Sequence, residues 1–238
     1  MIDCSIIISY RDREEHLSKL LPRLQAMLQE VKYEIIIAEQ DDNAKFQKNS
    51  LYNLAAKKAS GQYLVFHDVD YYPTDNVTYI PETDTPFYPV GKVIFLDSED
   101  KPKPLQQVPG GYQNFHNTVG DHSGGVFVLS KALFFKINGL NPYYKGWGKE
   151  DDDTRDKLRL LGYRWDRNLE GLFYALDHPD NKPPDTDPDF INNHILLSNL
   201  RSSMHLGISN VDADVVEYQA GENIKWLKIK NFKYESIN

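Results

Sequence analysis

The stretch that decides the fold is YLVFHDVD, residues 63–70, a short apolar run that ends in two aspartates. Two similar runs precede it, CSIII at residues 4–8 and YEIIIA at residues 33–38, and all three are typical of buried strands. Leucines spaced three and four apart over residues 17–28 predict an amphipathic helix, which Pro22 should kink or reset. This alternation of strand and helix predicts right-handed crossovers and a parallel, doubly wound sheet of the α/β class.

The remainder of the sequence is less regular but fits one domain over residues 1–238, without internal repeats or low-complexity linkers. Residues 97–118 form a long connection rich in Pro, Gly, Gln and Lys, and residues 177–189 form a surface loop rich in Asp and Pro. The other predicted elements are helices at 50–59, 130–137 and 150–161, strands at 126–129 and 172–176, and a closing hairpin made of 215–218 and 224–229.

The chain has 238 residues, with 27 Lys and Arg against 35 Asp and Glu and a formal net charge of −8. This acidic balance, without a basic run, argues against a nucleic-acid partner. Cys4 is the single cysteine, which excludes an internal disulfide and a multi-thiolate metal site. No stretch approaches the roughly 20 apolar residues of a membrane span, and the start lacks a signal peptide. Taking Met1 as the true start, we expect a soluble protein of a reducing compartment.

Ligands of doubly wound sheets bind at the carboxyl ends of the strands. Two pairs of charged residues in this sequence lie at such strand ends. Asp68 and Asp70 follow the third strand, and their alternation would place both carboxylates on one side, suited to a hard divalent cation. The alternative interpretation is that the two aspartates only end the strand. Arg11 and Arg13 follow the first strand, where they are either phosphate-binding groups or ordinary surface charge.

The segment GWGKEDDD, residues 146–153, is a second candidate site. Its four consecutive acids either form the solvated start of a helix or surround a ligand. In the second case, burial and the neighbouring negative charges would raise the pKa of one carboxylate enough for it to act as a general base. Glycines on both sides of Trp147 give the backbone the freedom of a loop that closes over a ligand. His178 is available as a nitrogen donor for an aspartate-based manganese site, although such a histidine is more often structural. His16, in the first helix, is interpreted as structural.

Taken together, these residues resemble the β-1,4-galactosyltransferase family, whose catalytic domains have the GT-A fold. The resemblance runs in order through nearly the whole chain and is weakest over residues 75–120 and in the C-terminal tail. Its segments are IIISYRDREEHL (6–17), KFQKNSLYNLA (45–55), YLVFHDVDYYP (63–73), SGGVFVLSKALFFKINGL (123–140), YYKGWGKEDDD (143–153) and a DH element with a Pro- and Asp-rich stretch (177–190). The fold implied is a Rossmann-like, mostly parallel sheet with a smaller C-terminal acceptor-side region. Residues 1–120 would lie mainly on the nucleotide-sugar side, and residues 121–238 mainly on the acceptor side.

The resemblance also implies roles for individual residues. Asp70 and His178 fall on the ligands of Mn²⁺ or another divalent cation, and Asp151 falls on the catalytic base. The positions implied in donor and nucleotide binding are Tyr10, Arg11, Arg13, Phe46, Gln47, Lys48, Asp68, Val69, His122 and Trp147. The positions implied in acceptor binding are Trp147, Lys149, Glu150, Asp151 and Asp152.

Four positions depart from the family pattern. Ala175 stands where the family commonly has a methionine metal ligand, so we expect weaker metal binding. Lys48 replaces an arginine, and Lys149 replaces a glycine of the mobile loop. His122 stands where galactose-using members have a tyrosine and where smaller aliphatic residues accompany N-acetylgalactosamine donors. One pocket contact changes donor discrimination by roughly 1–3 kcal/mol, so the donor sugar stays open.

We therefore expect an inverting, metal-dependent glycosyltransferase that moves a hexose, foremost galactose, from a UDP-sugar to a hydroxyl of a saccharide or lipid-linked saccharide. The alternatives are N-acetylgalactosaminyl or other hexosyl transfer on the same fold, and a non-catalytic module that binds sugar nucleotide or glycan. Animal members of the family have a leading transmembrane anchor, which this sequence lacks. We therefore expect a stemless, bacterial-type enzyme of the cytoplasm. Peripheral association with the inner face of a membrane is compatible with this expectation.

Overall fold

The computed structural model describes residues 2–104, 124–179 and 182–235. Its first part alternates strands and helices, as the sequence predicts. These elements are β1 (Cys4–Tyr10), α1 (Glu14–Met27), β2 (Tyr33–Gln40), α2 (Lys48–Ala56) and β3 (Tyr63–Asp68). β1 lies between β2 and β3 and pairs with both in parallel, so the carboxyl ends of three strands meet at one edge of the sheet.

The rest of the chain completes this central sheet and adds a small one. Its elements are β4 (Tyr71–Pro73), β5 (Phe87–Tyr88), β6 (Lys92–Phe95), β7 (Val126–Ser130), α3 (Lys131–Lys136), α4 (Glu150–Leu160), β8 (Asp166–Arg167), β9 (Leu172–Ala175), α5 (Pro188–Ser198), α6 (Leu200–Ser203), a 3₁₀ turn (Ile208–Asn210), β10 (Val211–Gly221) and β11 (Ile224–Tyr234). The central sheet has the strand order β10-β11-β2-β1-β3-β7-β5-β8, and β4, β9 and β6 form a three-stranded sheet. The expected mostly parallel α/β architecture is confirmed.

Hydrophobic clusters cover both faces of the central sheet. Ile6 and Ile8 of β1 face the cluster that includes the leucines of α1, whereas Ile7 between them faces the cluster that includes α2. All three isoleucines are fully buried. Because both faces are covered, the central strands are apolar at successive positions instead of alternating with polar residues. This is why the isoleucine runs are so clear in the sequence.

Pro22 lies inside α1 without ending it, so the helix does not reset at this residue, and the alternative of a kink stays a prediction. A proline in a helix leaves the carbonyl group four residues earlier without its backbone partner. That residue is Ser18, which is exposed, as is Pro22 itself, so water can bind the carbonyl oxygen. The apolar face made of Leu17, Leu20 and Leu24 remains continuous and buried.

The C-terminal hairpin is longer than predicted and belongs to the central sheet. β10 and β11 pair antiparallel, as the sequence indicates. In addition, β11 pairs in parallel with β2, from Ile224 opposite Ile35 to Ile229 opposite Gln40. The last strand therefore covers an edge that the first strands would otherwise leave unpaired.

The elements that the sequence did not predict include α5, α6 and the short strands β4, β5, β6 and β8. The start of α5 has clear local signals, because the Asp187 side chain caps it and Pro188 occupies its first turn. β4 and β6 have only three and four residues, too few for a periodic pattern. None of the helices in the described ranges is both long and apolar enough to cross a membrane.

Gly125 supports the aspartate segment and leaves no room for a side chain. Its carbonyl oxygen accepts a hydrogen bond from the backbone N–H of Asp68 at 2.8 Å. Its φ is +84°, and a Cβ at this position would lie 2.1 Å from the Tyr71 ring.

We expect Gly125→Ala to lower the free energy of unfolding by about 2–4 kcal/mol, because alanine is strained in the left-handed backbone and its methyl group would overpack against Tyr71. Gly162→Ala is the control, since its φ is +87° with nothing within 4 Å, and it should cost only about 1 kcal/mol. Urea denaturation measures both costs, and equal values would show that the Tyr71 contact relaxes freely.

Candidate active site

One lysine and three carboxylates meet at the start of α2 and α4. Nζ of Lys48 lies 2.8 Å from Oε1 of Glu150, 3.0 Å from Oδ1 of Asp151 and 3.6 Å from Oδ2 of Asp68. Only 11% of the Lys48 side chain is exposed. We call these four residues the Lys48 cluster. Because one ammonium group faces three carboxylates, the cluster has an excess of negative charge.

Three separate elements build the Lys48 cluster. Lys48 and Glu150 are the first residues of α2 and α4, and Asp68 is the last residue of β3. Tyr52, one turn further along α2, donates a hydrogen bond from its hydroxyl group to Asp68 at 2.9 Å. Sequence reasoning missed Tyr52, although its spacing of four from Lys48 places both on one face of the helix. The acidic first turn of α4 also suits the positive end of that helix.

Burial determines the proton affinity of the Lys48 cluster. Desolvation, with the neighbouring Glu150 and Asp68 carboxylates, raises the pKa of Asp151 to about 8 and outweighs the opposing charge of Lys48. Desolvation likewise raises the pKa of Asp68 to about 6. Burial opposes the charge of Lys48, but the three carboxylates hold its pKa well above the usual value. Asp151 is therefore a carboxyl group that ionises near pH 8, and its carboxylate form has the proton affinity that a general base needs.

Asp70 has a different partner from Asp68. Its Oδ2 lies 3.0 Å from Nε2 of His178, which follows β9. Nδ1 of His178 lies 2.8 Å from the carbonyl oxygen of Pro179. Burial would raise the pKa of Asp70, yet the hydrogen bond and charge of His178 and, more weakly, the nearby His16 hold it below its usual value. The two residues predicted as metal ligands thus lie side by side.

Two neighbouring turns bring together most of the residues predicted to bind the nucleotide. Arg11, after β1, donates a hydrogen bond to the carbonyl oxygen of Ala44 at 2.6 Å. Its guanidinium group also lies 5.4 Å from the centre of the Phe46 ring. Tyr10 is buried and packs edge-on against Trp226, with ring centres 5.5 Å apart. The turn after β1 is therefore joined to the segment that precedes α2.

The other residues predicted on the donor side lie around these turns. Gln47 is buried immediately before α2, and its backbone N–H donates to the Gln40 side chain at 2.9 Å. Arg13 immediately precedes α1, and Val69 is buried between the two aspartates of the third strand end. His122 lies outside the described residues, so its role in the donor pocket stays a prediction.

The Trp147 loop, residues 145–148, connects the nucleotide-binding segment with α5. Trp147 is 41% exposed, and its ring lies 5.9 Å from the ring of Phe190 in α5. Asn193, also in α5, donates hydrogen bonds to two carbonyl groups of the loop at 2.9 and 3.3 Å. A backbone N–H of the loop donates to the Phe46 carbonyl oxygen at 2.7 Å. The loop thus joins the segment that precedes α2 to helix α5.

Two family models match the sequence of this chain. The N-terminal region of glycosyl transferase group 7 matches residues 2–81, and the N-terminal domain of galactosyltransferase matches residues 112–179. Together the two matches cover more than half of the chain, and they contain the aspartate segment, the Trp147 loop and His178. The chain belongs to the β-1,4-galactosyltransferase family.

Relatives of this family align over much of the chain. β-1,4-galactosyltransferase 4 of Cricetulus griseus is 35% identical over 162 residues, which are 66% of this chain and 42% of that protein. β-1,4-galactosyltransferase 2 of Mus musculus is 30% identical over 223 residues, which are 90% of this chain and 55% of that protein. The chain therefore spans about half the length of these curated relatives.

A solved structure shares the fold. A variant of Drosophila β-1,4-galactosyltransferase 7, in complex with manganese, UDP-Gal and xylobiose, superposes with a TM-score of 0.70 and 22% identity. The match covers 97% of this chain and 94% of that one. The GT-A type of the fold, expected from the sequence, is confirmed.

In this galactosyltransferase-family chain, charges alternate along the start of α4, where the residues predicted to bind the acceptor lie. Nζ of Lys149 lies 3.3 Å from Asp152, and Arg155 donates hydrogen bonds to Asp152 at 2.9 Å and to Asp156 at 2.8 Å. Lys149 has a φ of +76°, a left-handed backbone that a lysine seldom adopts. The position at which Lys149 replaces a glycine thus keeps a glycine-like backbone, with its ammonium group beside Asp152.

Buried polar contacts anchor α4 behind its acidic first turn. Asp153 is 1% exposed and accepts a hydrogen bond from the Tyr144 hydroxyl at 3.0 Å. Lys157, one turn later, donates to the carbonyl oxygens of Gly139 and Leu206 at 3.0 and 3.2 Å. Burial raises the pKa of Asp153 to about 6 and lowers the pKa of Lys157 to about 8. Asp153 belongs to the candidate segment 146–153, whereas Lys157 has no predicted role, and their contacts hold α4 against Tyr144, Gly139 and Leu206.

Proposed function

We propose that this chain is an inverting, metal-dependent galactosyltransferase that transfers galactose from UDP-galactose to a hydroxyl group of a saccharide acceptor. The observation that carries the proposal is the Lys48 cluster, in which Asp151 is 25% exposed and has a pKa of about 8. Membership of the β-1,4-galactosyltransferase family supports the class of reaction. The complex of galactosyltransferase 7 with manganese, UDP-Gal and xylobiose, on the same fold, supports the classes of ligand.

Asp151 acts as the general base in this proposal. Its carboxylate takes the proton of the acceptor hydroxyl while that oxygen attacks the anomeric carbon and the bond from this carbon to UDP breaks. Attack on the side opposite to UDP inverts the configuration of the sugar. Lys48 holds the Asp151 carboxylate in position at 3.0 Å. The Trp147 loop excludes water, which would otherwise hydrolyse the donor.

The donor atoms of Asp70 and His178 fit a divalent cation. A carboxylate oxygen and an imidazole nitrogen both suit manganese. The hydrogen bond to Pro179 fixes a hydrogen on Nδ1 of His178, which leaves Nε2 facing Asp70 at 3.0 Å. These two residues would hold the cation. When bound, a cation there would neutralise the charge that develops on the UDP leaving group.

The test is the thermal midpoint of the purified protein with UDP, first with EDTA and then with Mn²⁺. A ligand that binds only the native state stabilises it by about 2.7 kcal/mol at 100 times its Kd, which raises the midpoint of a chain of this size by about 5–10 °C. We expect this shift with UDP and Mn²⁺ together, and not with UDP and EDTA. Absence of a shift at saturating ligand would contradict the nucleotide–metal site.

Variants and a donor panel complete the test. Asp70→Ala should abolish the Mn²⁺-dependent shift because it removes one of the two metal-binding groups. Asp185→Ala, with a side chain that is 82% exposed, is the matched control and should keep the shift. UDP release is then measured with several UDP-sugars and saccharide acceptors. Turnover of UDP-galactose supports the proposal, a preference for UDP-N-acetylgalactosamine corrects the donor sugar, and binding without turnover indicates a non-catalytic module.

A further inference from the structure

His16 lies beside the candidate metal pair and has a buried ring nitrogen, Nδ1, without a hydrogen-bond partner among the described residues. It belongs to α1, is 9% exposed, and its Nε2 lies 2.9 Å from the carbonyl oxygen of Asp177. Its ring centre lies 6.5 Å from that of His178, whose Nε2 lies 3.0 Å from the Asp70 carboxylate. A buried polar atom without a partner costs free energy and is uncommon in native proteins.

The hydrogen bond to Asp177 fixes which nitrogen of His16 carries the hydrogen. A carbonyl oxygen can only accept, so Nε2 donates, and the orphan Nδ1 has a lone pair. His178 likewise donates from one ring nitrogen to a backbone carbonyl, because its Nδ1 donates to Pro179, and its Nε2, which hydrogen-bonds to Asp70 here, would release its hydrogen to bind a cation. Histidines that bind metals characteristically donate their other ring N–H to a backbone carbonyl or a carboxylate. Both rings thus have the hydrogen-bonding pattern of metal ligands.

We propose that Nδ1 of His16 is a third protein ligand of the divalent cation, beside Asp70 and His178. The inference rests on the proposed function, which supplies the cation. Ala175 has no donor atom in its side chain, so the ligands predicted from the sequence amount to one carboxylate and one imidazole. His16, in α1, would supply the third donor atom that Ala175 lacks. It would also connect the cation to the helix that follows the predicted nucleotide-binding turn.

The geometry requires a small approach of the two rings. Among the described residues, no three His, Cys, Asp or Glu side chains converge closely enough to hold a metal as placed. First-row cations bind imidazole nitrogen at about 2.1 Å, so two rings on one cation have centres about 5–6 Å apart. From 6.5 Å, the rings of His16 and His178 must close by about 1–2 Å to reach the separation of two ligands on one cation. His178 is 35% exposed and follows β9 in an irregular segment, so this ring has room to move.

The experiment measures Mn²⁺ binding to the full chain from the EPR signal of free Mn²⁺, without and with UDP. His16→Gln is the decisive variant, because the glutamine amide N–H can replace the hydrogen bond to Asp177 while the Nδ1 ligand is lost. We expect His16→Gln and His178→Gln each to weaken Mn²⁺ binding by at least about tenfold. His194→Gln is the matched control, since His194 is an exposed histidine of α5, and it should bind Mn²⁺ as the unchanged protein does.

A second readout identifies the ligands directly. Pulsed EPR of bound Mn²⁺ detects coupled imidazole nitrogens, and each of His16→Gln and His178→Gln should remove one of two such nitrogens. Unchanged affinity and an unchanged nitrogen count in His16→Gln would overturn the proposal and leave His16 as an anchor for Asp177. Failure of the proposed function has another signature, because the unchanged protein would then show no Mn²⁺-dependent UDP binding and no turnover.

Discussion

Asp151→Asn is expected to lower the turnover number of galactosyl transfer by roughly 10²–10⁴-fold, the usual contribution of a general base. Asparagine has nearly the same shape as aspartate, and its amide oxygen can still accept the hydrogen bond that Lys48 donates at 3.0 Å. It cannot take the proton of the acceptor hydroxyl. Binding of UDP and Mn²⁺, which we assign to other residues, should be preserved. The measurement is kcat at saturating donor and acceptor, together with the thermal shift given by UDP and Mn²⁺.

The pH profile separates loss of the base from loss of the fold. Because the pKa of Asp151 is raised to about 8, the carboxyl is largely protonated below that pH, and kcat should rise as the pH approaches it. Asp151→Asn removes the titrating group, so its residual rate should lack this rise. Asp185→Asn is the matched control, with a side chain 82% exposed, and should keep both rate and profile. Near-normal turnover in Asp151→Asn would refute the assignment of the base.

Lys48→Met is expected to have the largest effect on stability, a loss of about 3 kcal/mol or more near pH 8. Methionine keeps the length and most of the volume of the lysine but leaves the three carboxylates of the Lys48 cluster without their cation. Removing one partner of a buried ion pair costs more than the pair itself contributes, because the remaining charge stays poorly solvated. Turnover should fall as well, since the pKa of Asp151 rises further without the opposing charge of Lys48. Urea denaturation gives the change in the free energy of unfolding.

The dependence of this loss on pH follows from the direction of the carboxylate pKa values. Without Lys48, the buried carboxylates have higher pKa values in the folded than in the unfolded chain, so the folded state keeps protons that the unfolded state releases. The deficit relative to the unchanged protein should therefore grow above about pH 6, where Asp68 ionises beside Lys48, grow further above about pH 8, where Asp151 ionises, and shrink as the solution is acidified. Lys48→Arg keeps the cation and should retain most of the stability. A deficit in Lys48→Met that does not vary with pH would indicate lost packing instead.

The strands and helices of the first part of the chain could be predicted because each has a strong local pattern. The isoleucine runs are continuous since both faces of the sheet are covered, and the leucines of α1 follow the helical period. The continuation of α1 through Pro22 was harder to predict, because it depends on whether the freed carbonyl is exposed, which only the packing decides. The pairing of β11 with β2 joins opposite ends of the chain, and no local pattern encodes such a contact.

The residues of the candidate site could be named from the sequence, but their arrangement could not. Asp68, Asp70 and Asp151 stand out as acids after apolar or glycine-rich segments. That Lys48 faces three carboxylates, while Asp70 faces His178, depends on how α2, α4 and the segment after β9 pack together. The orphan nitrogen of His16 is likewise visible only in three dimensions, because one helical histidine has no distinguishing pattern in a sequence.

The parallel pairing of β11 with β2 has a consequence for how the protein is made. β2 is synthesised early and its outer edge has no partner until the last strand leaves the ribosome. During translation the unpaired edge of this apolar, β-branched strand can therefore hydrogen-bond to a strand of another chain. The risk lasts because contacts between distant parts of a sequence form slowly. Until the hairpin pairs with β2, the partly folded chain is therefore more prone to aggregate than the finished fold.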